Sequence, residues 1–282
     1  MINGLTRTCG VIGCPVEHTK SPLIHNTLAE YMGENLCYVP FNVQKEALGD
    51  AIKGASALRL LGLNITVPHK SDVIPFLKEI DPLAMKIGAV NTLVSVEGGY
   101  KGYNTDMPGL YRAMTEDGVE IENQKVIILG AGGVARAVAI LMADKKAKEI
   151  ILINRTLDKA LKVCKEVQDF YPETNISALA LDEIDALPME KFLVIQATSI
   201  GMHPNVDEAV IEDASFYDRV HTGYDLVFNP SETKFMKLTA KAGGRAFNGL
   251  KMLLYQGVIA YEYWTEKEVP MEAISKVYDQ MK

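Results

Sequence analysis

The stretch Lys125-Val126-Ile127-Ile128-Leu129, running straight into Gly130-Ala131-Gly132-Gly133-Val134-Ala135-Arg136, decides the fold. The first five residues read as a short buried strand, and the glycines that follow end it. Gly130 makes the tight turn after a strand, and Gly132 lets the backbone approach a pyrophosphate. Ala135 takes the place of the third glycine, as a dinucleotide-binding loop permits. A helix beginning near Gly133 then aims unpaired N–H groups and the positive end of its dipole at the phosphates, which Gly130, Ala131, Gly132, Gly133 and Val134 would line.

Working outward, Glu149 to Ile153, Ile176 to Leu179, Phe192 to Ala197 and Gly223 to Val227 read as further strands, with helices near Thr156 to Phe170 and Glu232 to Ala242. An NAD-preferring site carries Asp or Glu at the end of the second strand, roughly 20 residues past the glycine loop. Here Asn154-Arg155-Thr156 stands there, with Lys159 one helical turn on. A guanidinium beside neutral donors suits a 2′-phosphate, so NADP is favoured over NAD.

Upstream, Thr8 to Ile12, Cys37 to Val43, Gly62 to Val67 and Ala89 to Val96 read as strands. Pro22 to Tyr31, Glu46 to Ser56 and Lys70 to Glu79 read as helices, the first with Ser21 as its cap and Pro22 in its first turn. Glu97-Gly98-Gly99 marks a hairpin turn, and the seam between two domains falls near Asp106 to Glu122. The alternation predicts an α/β protein with parallel sheets covered by helices. From Gly249 the pattern is helical again, with Leu250, Leu253, Leu254, Gly257, Val258 and Tyr261 on one stripe; Tyr261, Tyr263 and Trp264 read as a buried face.

A length of 282 residues allows about two domains, and 48% hydrophobic with 23% charged residues is an ordinary globular mixture. The net charge of −7 disfavours nucleic acid and anionic membrane as partners. No apolar run approaches the roughly 20 residues of a membrane span, and no basic-then-apolar leader opens the chain. Cys9, Cys14, Cys37 and Cys164 show no paired spacing and read as small core residues in a reducing cytoplasm. None of His18, His25, His69, His203 and His221 stands at zinc spacing, so no metal is expected.

Reduction of a carbonyl by hydride needs a proton donor for the oxygen, and the reverse needs a base. In Asn64-Ile65-Thr66-Val67-Pro68-His69-Lys70 a strand gives way to a helix pattern, where open sheets present ligand groups. Lys70 is at that edge, with His69 beside it. Asn91 sits inside an apolar strand pattern, where an unpaired amide is costly, and Asn104-Thr105-Asp106 occupies the seam.

Together with Gly13-Cys14-Pro15, His18-Thr19-Lys20-Ser21-Pro22, Gly88-Ala89-Val90-Asn91-Thr92, Ala197-Thr198-Ser199-Ile200-Gly201-Met202 and Gly249 to Gln256, these blocks make the chain resemble the shikimate dehydrogenases, in family order from about Gly10 to Trp264. The resemblance implies NADP-dependent, reversible reduction of 3-dehydroshikimate to shikimate, on the route to chorismate and the aromatic amino acids. It implies a substrate domain over 1–105, completed by C-terminal helices over 250–282, and an NADP-binding Rossmann domain over 106–249, with the active site in the cleft between them. By match of motif, Lys70 and Asp106 are the catalytic pair: the lysine exchanges a proton with the substrate hydroxyl while the aspartate holds it and orients the substrate. A lysine is almost wholly charged near pH 7, so to act as a base it must first lose a proton, directly or through a relay, and both routes stay open.

Thr19, Ser21, Thr66, Lys70, Asn91, Asp106 and Gln256 fall at the family's substrate positions, with Thr19 and Ser21 on the carboxylate. Thr198, Leu226, Gly249 and Met252 match positions that line the nicotinamide. Lys70, Arg136, Arg155 and Lys159 supply local positive charge. Thr19 stands where serine is common, and Phe228 where a tyrosine usually contacts substrate, which keeps quinate alive as an alternative or second substrate. A non-catalytic dinucleotide-dependent sensor is a further alternative. The sequence leaves a monomer and a homodimer equally open.

Overall fold

Two six-stranded sheets carry the chain, one in each of the units into which residues 2–282, those described by the computed structural model, divide. The first unit holds residues up to Leu110 together with Leu253–Lys282, and the second Tyr111–Met252.

In the first unit, β1 (Arg7–Gly13), β2 (Leu36–Asn42), β3 (Gly62–Ile65), β4 (Glu79–Ile80), β5 (Thr92–Val96) and β6 (Gly99–Tyr103) take the order β2-β1-β3-β5-β6-β4. β1 pairs parallel with β2 and β3, but β5 is antiparallel to both β3 and β6. The sheet is therefore mixed rather than parallel. Its cause is the two-residue Glu97-Gly98 turn, with Gly98 at φ of 80°, which joins β5 to β6 too tightly for a crossover helix.

Helices α1 (Ser21–Tyr31), α2 (Leu48–Ala57) and α3 (Pro82–Ile87) complete this part, and α4 (Asp106–Glu116) follows β6. Ser21 does not cap α1; it is the first helical residue, and its Oγ lies 3.1 Å from the Thr19 hydroxyl that donates to it. No α-helix forms over 70–79, where turns lead to a single 3₁₀ turn at Ile74–Phe76 and then to β4. Pro75 offers no N–H there and would clash with the preceding turn of a continuous helix. The unanticipated α3 is started by Asp81, whose Oδ1 accepts from the N–H groups of Leu83 and Ala84 at 2.9 and 3.3 Å.

The second unit's strands are β7 (Lys125–Leu129), β8 (Glu149–Asn154), β9 (Ile176–Ala180), β10 (Phe192–Gln196), β11 (Val220–Asp225) and β12 (Arg245–Phe247), in the order β9-β8-β7-β10-β11-β12. Every pairing is parallel. The order reverses between β7 and β10, the switch point outside which doubly wound sheets bind ligands. Helices α5 (Gly133–Asp144), α6 (Leu157–Phe170), α7 (Ala214–Tyr217) and α8 (Lys234–Lys241) belong to this unit. β11 begins three residues before the expected Gly223 and stops at Asp225, so Leu226 and Val227 lie beyond the strand despite their apolar character.

The last helices are α9 (Leu250–Thr265) and α10 (Met271–Met281). In the first unit, the Trp264 indole N–H donates to the Leu93 carbonyl at 2.8 Å. A Cβ at Gly62 would lie 1.9 Å from the same indole nitrogen, so β3 accepts α9 only because it carries glycine at that position. Lys20 Nζ donates to the Met281 carbonyl at 2.7 Å, tying α1 to α10. Tyr261 and Trp264 are buried, as their stripe predicts, whereas Tyr263 is exposed. All four cysteines are free; Cys9 and Cys164 are buried, while Cys14 and Cys37 are only partly so. Among the described residues no helix is long and apolar enough to cross a membrane, and no group of three or more His, Cys, Asp or Glu is gathered as a metal site.

Candidate active site

Lys70 and Asp106 meet in the first unit, Nζ to Oδ2 at 2.7 Å, both partly exposed. The backbone around them is closely fixed. The Lys70 carbonyl accepts from Val90 N–H at 2.8 Å, which sets the lysine beside the Asn91 segment. Asn91 Oδ1 accepts from Thr105 N–H at 2.7 Å, which sets Asn91 beside Asp106. His69 is fully buried, with Nε2 2.8 Å from the Val43 carbonyl, and pins the turn before Lys70. Thr66 packs against the end of β1, where a Cβ at Gly13 would stand 2.5 Å from its methyl. Thr19 and Ser21 follow in the loop after β1 and in the first turn of α1. Gln256 reaches α4 through a backbone contact: a Cβ at Gly109 would lie 2.7 Å from Gln256 N.

Hydrogen bonding decides what each amide can offer a ligand. Asn91 Oδ1 also lies 3.1 and 3.2 Å from the hydroxyls of Thr92 and Thr105, so its carbonyl is saturated within the protein and only its Nδ2 donors remain. Gln256 is less committed. Its Nε2 gives one of its two N–H groups to the Leu253 carbonyl at 2.8 Å, leaving the other N–H as a donor and Oε1 as an acceptor.

Behind Asn91 is a polar cluster that the sequence pattern did not single out. Asn64 Nδ2 donates to the Asn91 carbonyl at 3.2 Å and to the Thr92 hydroxyl at 3.1 Å. Asn64 Oδ1 must then be an acceptor, from Tyr38 OH at 2.7 Å and from His25 Nε2 at 3.1 Å. His25 therefore carries its proton on Nε2 and leaves Nδ1 without a partner. Burial lowers its pKa to about 3, the Asn64 bond opposing only in part, so the ring is neutral. The available signal was a polar residue inside the apolar strand Gly62-Leu63-Asn64-Ile65, the same one that picked out Asn91.

In the second unit, the glycine loop has the form expected of it. Gly130 adopts φ of 113°, a region closed to most side chains, and a Cβ there would stand 2.8 Å from the Thr198 methyl. Gly132 is the N-cap of α5 and has no side-chain cap, so the first N–H groups of a 12-residue helix are free of side-chain acceptors. A Cβ at Gly132 or Gly133 would meet nothing within 4 Å, so the loop borders open space. Ala131 and Val134 lie on either side. Arg155, Thr156 and Lys159 are exposed at the end of β8 and the start of α6. Asn154 Nδ2 donates to the Thr156 carbonyl at 2.8 Å, holding this turn in shape. Arg136, in α5, has its guanidinium Nε ion-paired with Glu166 of α6. Around β10 and β11, Gly249 is pressed against Leu226, whose carbonyl a Cβ would approach to 2.2 Å. Met252 is half-buried two residues into α9, and Phe228 is exposed after β11.

Three family models match in chain order. They are the shikimate dehydrogenase substrate binding domain over residues 11–93, shikimate / quinate 5-dehydrogenase over 113–222, and the shikimate 5′-dehydrogenase C-terminal domain over 249–277. The shikimate dehydrogenase (NADP(+)) of Carboxydothermus hydrogenoformans is 41% identical over 275 residues, covering 98% of this chain and 97% of that protein. The chain belongs to the shikimate dehydrogenase family.

Solved structures of the family agree in fold. A shikimate dehydrogenase in complex with NADP+ superposes with a TM-score of 0.89 at 38% identity, over 100% of this chain and 98% of that one. Shikimate 5-dehydrogenase from Listeria monocytogenes, in complex with shikimate and NAD, gives 0.90 at 31% identity, over 98% and 97%.

Proposed function

We infer that the protein is an NADP-dependent shikimate dehydrogenase, interconverting 3-dehydroshikimate and shikimate in the supply of chorismate for aromatic amino acids. The observation that carries this reading is the 2.7 Å Lys70–Asp106 pair, in the same unit as Asn91, whose amide can only donate, and Gln256, whose amide can still accept. A substrate with several hydroxyls needs both a donor and an acceptor of that kind. Thr19 and Ser21 would hold the carboxylate, and Thr66, Asn91, Asp106 and Gln256 the ring oxygens.

NADPH, when bound, supplies the hydride. Gly130 to Val134 would hold its pyrophosphate, Asn154, Arg155, Thr156 and Lys159 its 2′-phosphate, and Thr198, Leu226, Gly249 and Met252 its nicotinamide. The fit rests on the uncapped α5 terminus, on the open space beside Gly132 and Gly133, and on exposed cations where an NAD site would carry a carboxylate. In the reducing direction, Lys70 donates a proton to the carbonyl oxygen as that carbon is reduced, and Asp106 keeps the ammonium aimed at it. In the oxidising direction, Lys70 takes the hydroxyl proton. The first unit is then the substrate domain and the second the cofactor domain of a cytoplasmic enzyme, monomeric or homodimeric, with no nucleic-acid or membrane partner.

Initial rates with shikimate and quinate, each with NADP and NAD, test the reading. The highest kcat/KM is expected for shikimate with NADP. A larger value for quinate with NAD would overturn it, and a protein that binds NADPH but never oxidises it with 3-dehydroshikimate would be a sensor.

A further inference from the structure

Gln196 and Asp225 stand opposite each other at the C-terminal ends of β10 and β11, almost fully buried. The orientation of Gln196 follows from its partners. Its Oε1 lies 2.6 Å from Thr198 N–H and 2.7 Å from the Thr198 hydroxyl, both donors. Nε2 therefore faces the other way, donating to the Ile200 carbonyl at 3.0 Å and to Asp225 Oδ1 at 3.2 Å. Both acceptor sites and both donors of the amide are in use. Asp225 gathers two more donors: Val227 N–H at 2.9 Å on Oδ1 and the Thr233 hydroxyl at 2.6 Å on Oδ2.

This buried pair thus holds the loop after β10, the turn after β11 and, through Thr233, the start of α8. Thr198 is fixed further, because its hydroxyl also accepts from Ile200 N–H at 3.1 Å. With its proton given to Gln196, Thr198 has no hydroxyl donor left for a ligand; its methyl closes on Gly130, the first glycine of the phosphate loop. On the other side, Val227 accepts from Gly249 N–H at 3.0 Å, so Gly249 is held to the same turn. Three of the four residues assigned to the nicotinamide are tied back to one amide and one carboxyl group that are themselves sealed from solvent.

We propose that Gln196 and Asp225 are positioning residues for the nicotinamide half of NADP(H): without touching the cofactor, they hold Thr198 and the Leu226–Val227 turn in the arrangement that receives it. This deepens the reading of the second unit as an NADP domain and rests on it. An apolar residue at 225 would leave Val227 N–H, the Thr233 hydroxyl and one Gln196 N–H without an acceptor. The loops would then be free to shift while the phosphate loop and the Arg155 turn kept their own supports.

The test compares two ligands on the full-length protein. NADPH binding is followed by nucleotide fluorescence, and binding of adenosine 2′,5′-bisphosphate, which lacks the nicotinamide half, by its competition with NADPH and by calorimetry. Asp225→Ala is expected to weaken NADPH about tenfold and to leave the bisphosphate within about twofold, with Asp225→Asn, which keeps the Oδ1 acceptor, restoring most of the NADPH affinity. Thr198→Val, which removes the hydroxyl at nearly constant volume, is expected to give a smaller loss with the same selectivity, and it carries the test if Asp225→Ala does not fold. Equal weakening of both ligands, unchanged NADPH affinity, or an asparagine variant as impaired as the alanine one would overturn the proposal. Failure of the unaltered protein to bind either ligand would instead overturn the NADP reading beneath it.

Discussion

Replacing Asp225 by asparagine should stabilise the protein, and by an amount that depends on pH. Burial pushes the Asp225 carboxyl up from 3.8 to about 6, outweighing the bonds from Thr233, Val227 and Gln196 that favour the charged form. A folded-state value above the unfolded one means that the native protein binds the proton more tightly. The group's favourable contribution is therefore complete below about pH 4 and is lost as pH rises through about 6. At about 1.36 kcal/mol per pH unit, the gap between the two values is worth ~3 kcal/mol. Asparagine is uncharged at every pH and keeps an oxygen for Val227 and Gln196. The stability difference between the Asp225→Asn variant and the parent should grow by ~3 kcal/mol between pH 4 and pH 7 and then level off, with all other titrations cancelling. Urea unfolding followed by far-ultraviolet circular dichroism is the assay, since the one tryptophan, Trp264, lies in the other unit. A difference that stays flat with pH, or that falls as pH rises, would refute the reasoning.

Three further outcomes are expected. Lys70→Ala should lower kcat about a hundredfold or more while raising the KM for shikimate much less, because the proton is moved in the transition state; steady-state rates decide, and a preserved kcat would remove Lys70 from the chemistry. Arg155→Gln should raise the KM for NADP about tenfold and leave that for NAD unchanged, and equal effects on both would show that Arg155 does not read the 2′-phosphate. Gly62→Ala places a methyl where the Trp264 indole lies 1.9 Å away. It should destabilise the first unit by about 1–3 kcal/mol, seen as an earlier unfolding midpoint by Trp264 fluorescence; an unchanged midpoint would mean that α9 can move aside freely.

Where local chemistry dictates structure, the sequence was readable. The strand-to-glycine-to-helix passage at Lys125 to Arg136 forms as expected because turn geometry and phosphate approach both demand glycine there. Lys70 and Asp106 were legible from motif, and the structure brings them to 2.7 Å. Other features depend on partners far along the chain. A helix pattern over 70–79 gave way because Pro75 breaks it and Glu79 and Ile80 find a partner in β6. Leu226 and Val227 look like strand residues, but the sheet ends at Asp225, where the buried carboxyl turns the backbone towards its own Oδ1. The sequence marks Asn64 and Thr105 only as members of their segments and does not pick out Gln196 or Asp225, because a buried polar residue declares a need for partners without saying which ones. Those partners lie up to 39 positions away, as between His25 and Asn64.

The bond from Trp264 to Leu93 spans 171 positions of chain, and this constrains the order in which the units can fold during synthesis. As the polypeptide leaves the ribosome, the first sheet emerges early, but the helix that covers Gly62, His25 and Tyr38 is translated only after the second unit. The second unit, one continuous segment, can close on itself in the meantime. Until α9 and α10 arrive, the nascent first unit exposes an aromatic platform to the cell, and a chain stalled before Trp264 would carry an assembled nucleotide domain beside an unfinished substrate domain. Such a fragment is a natural client for chaperones and proteases.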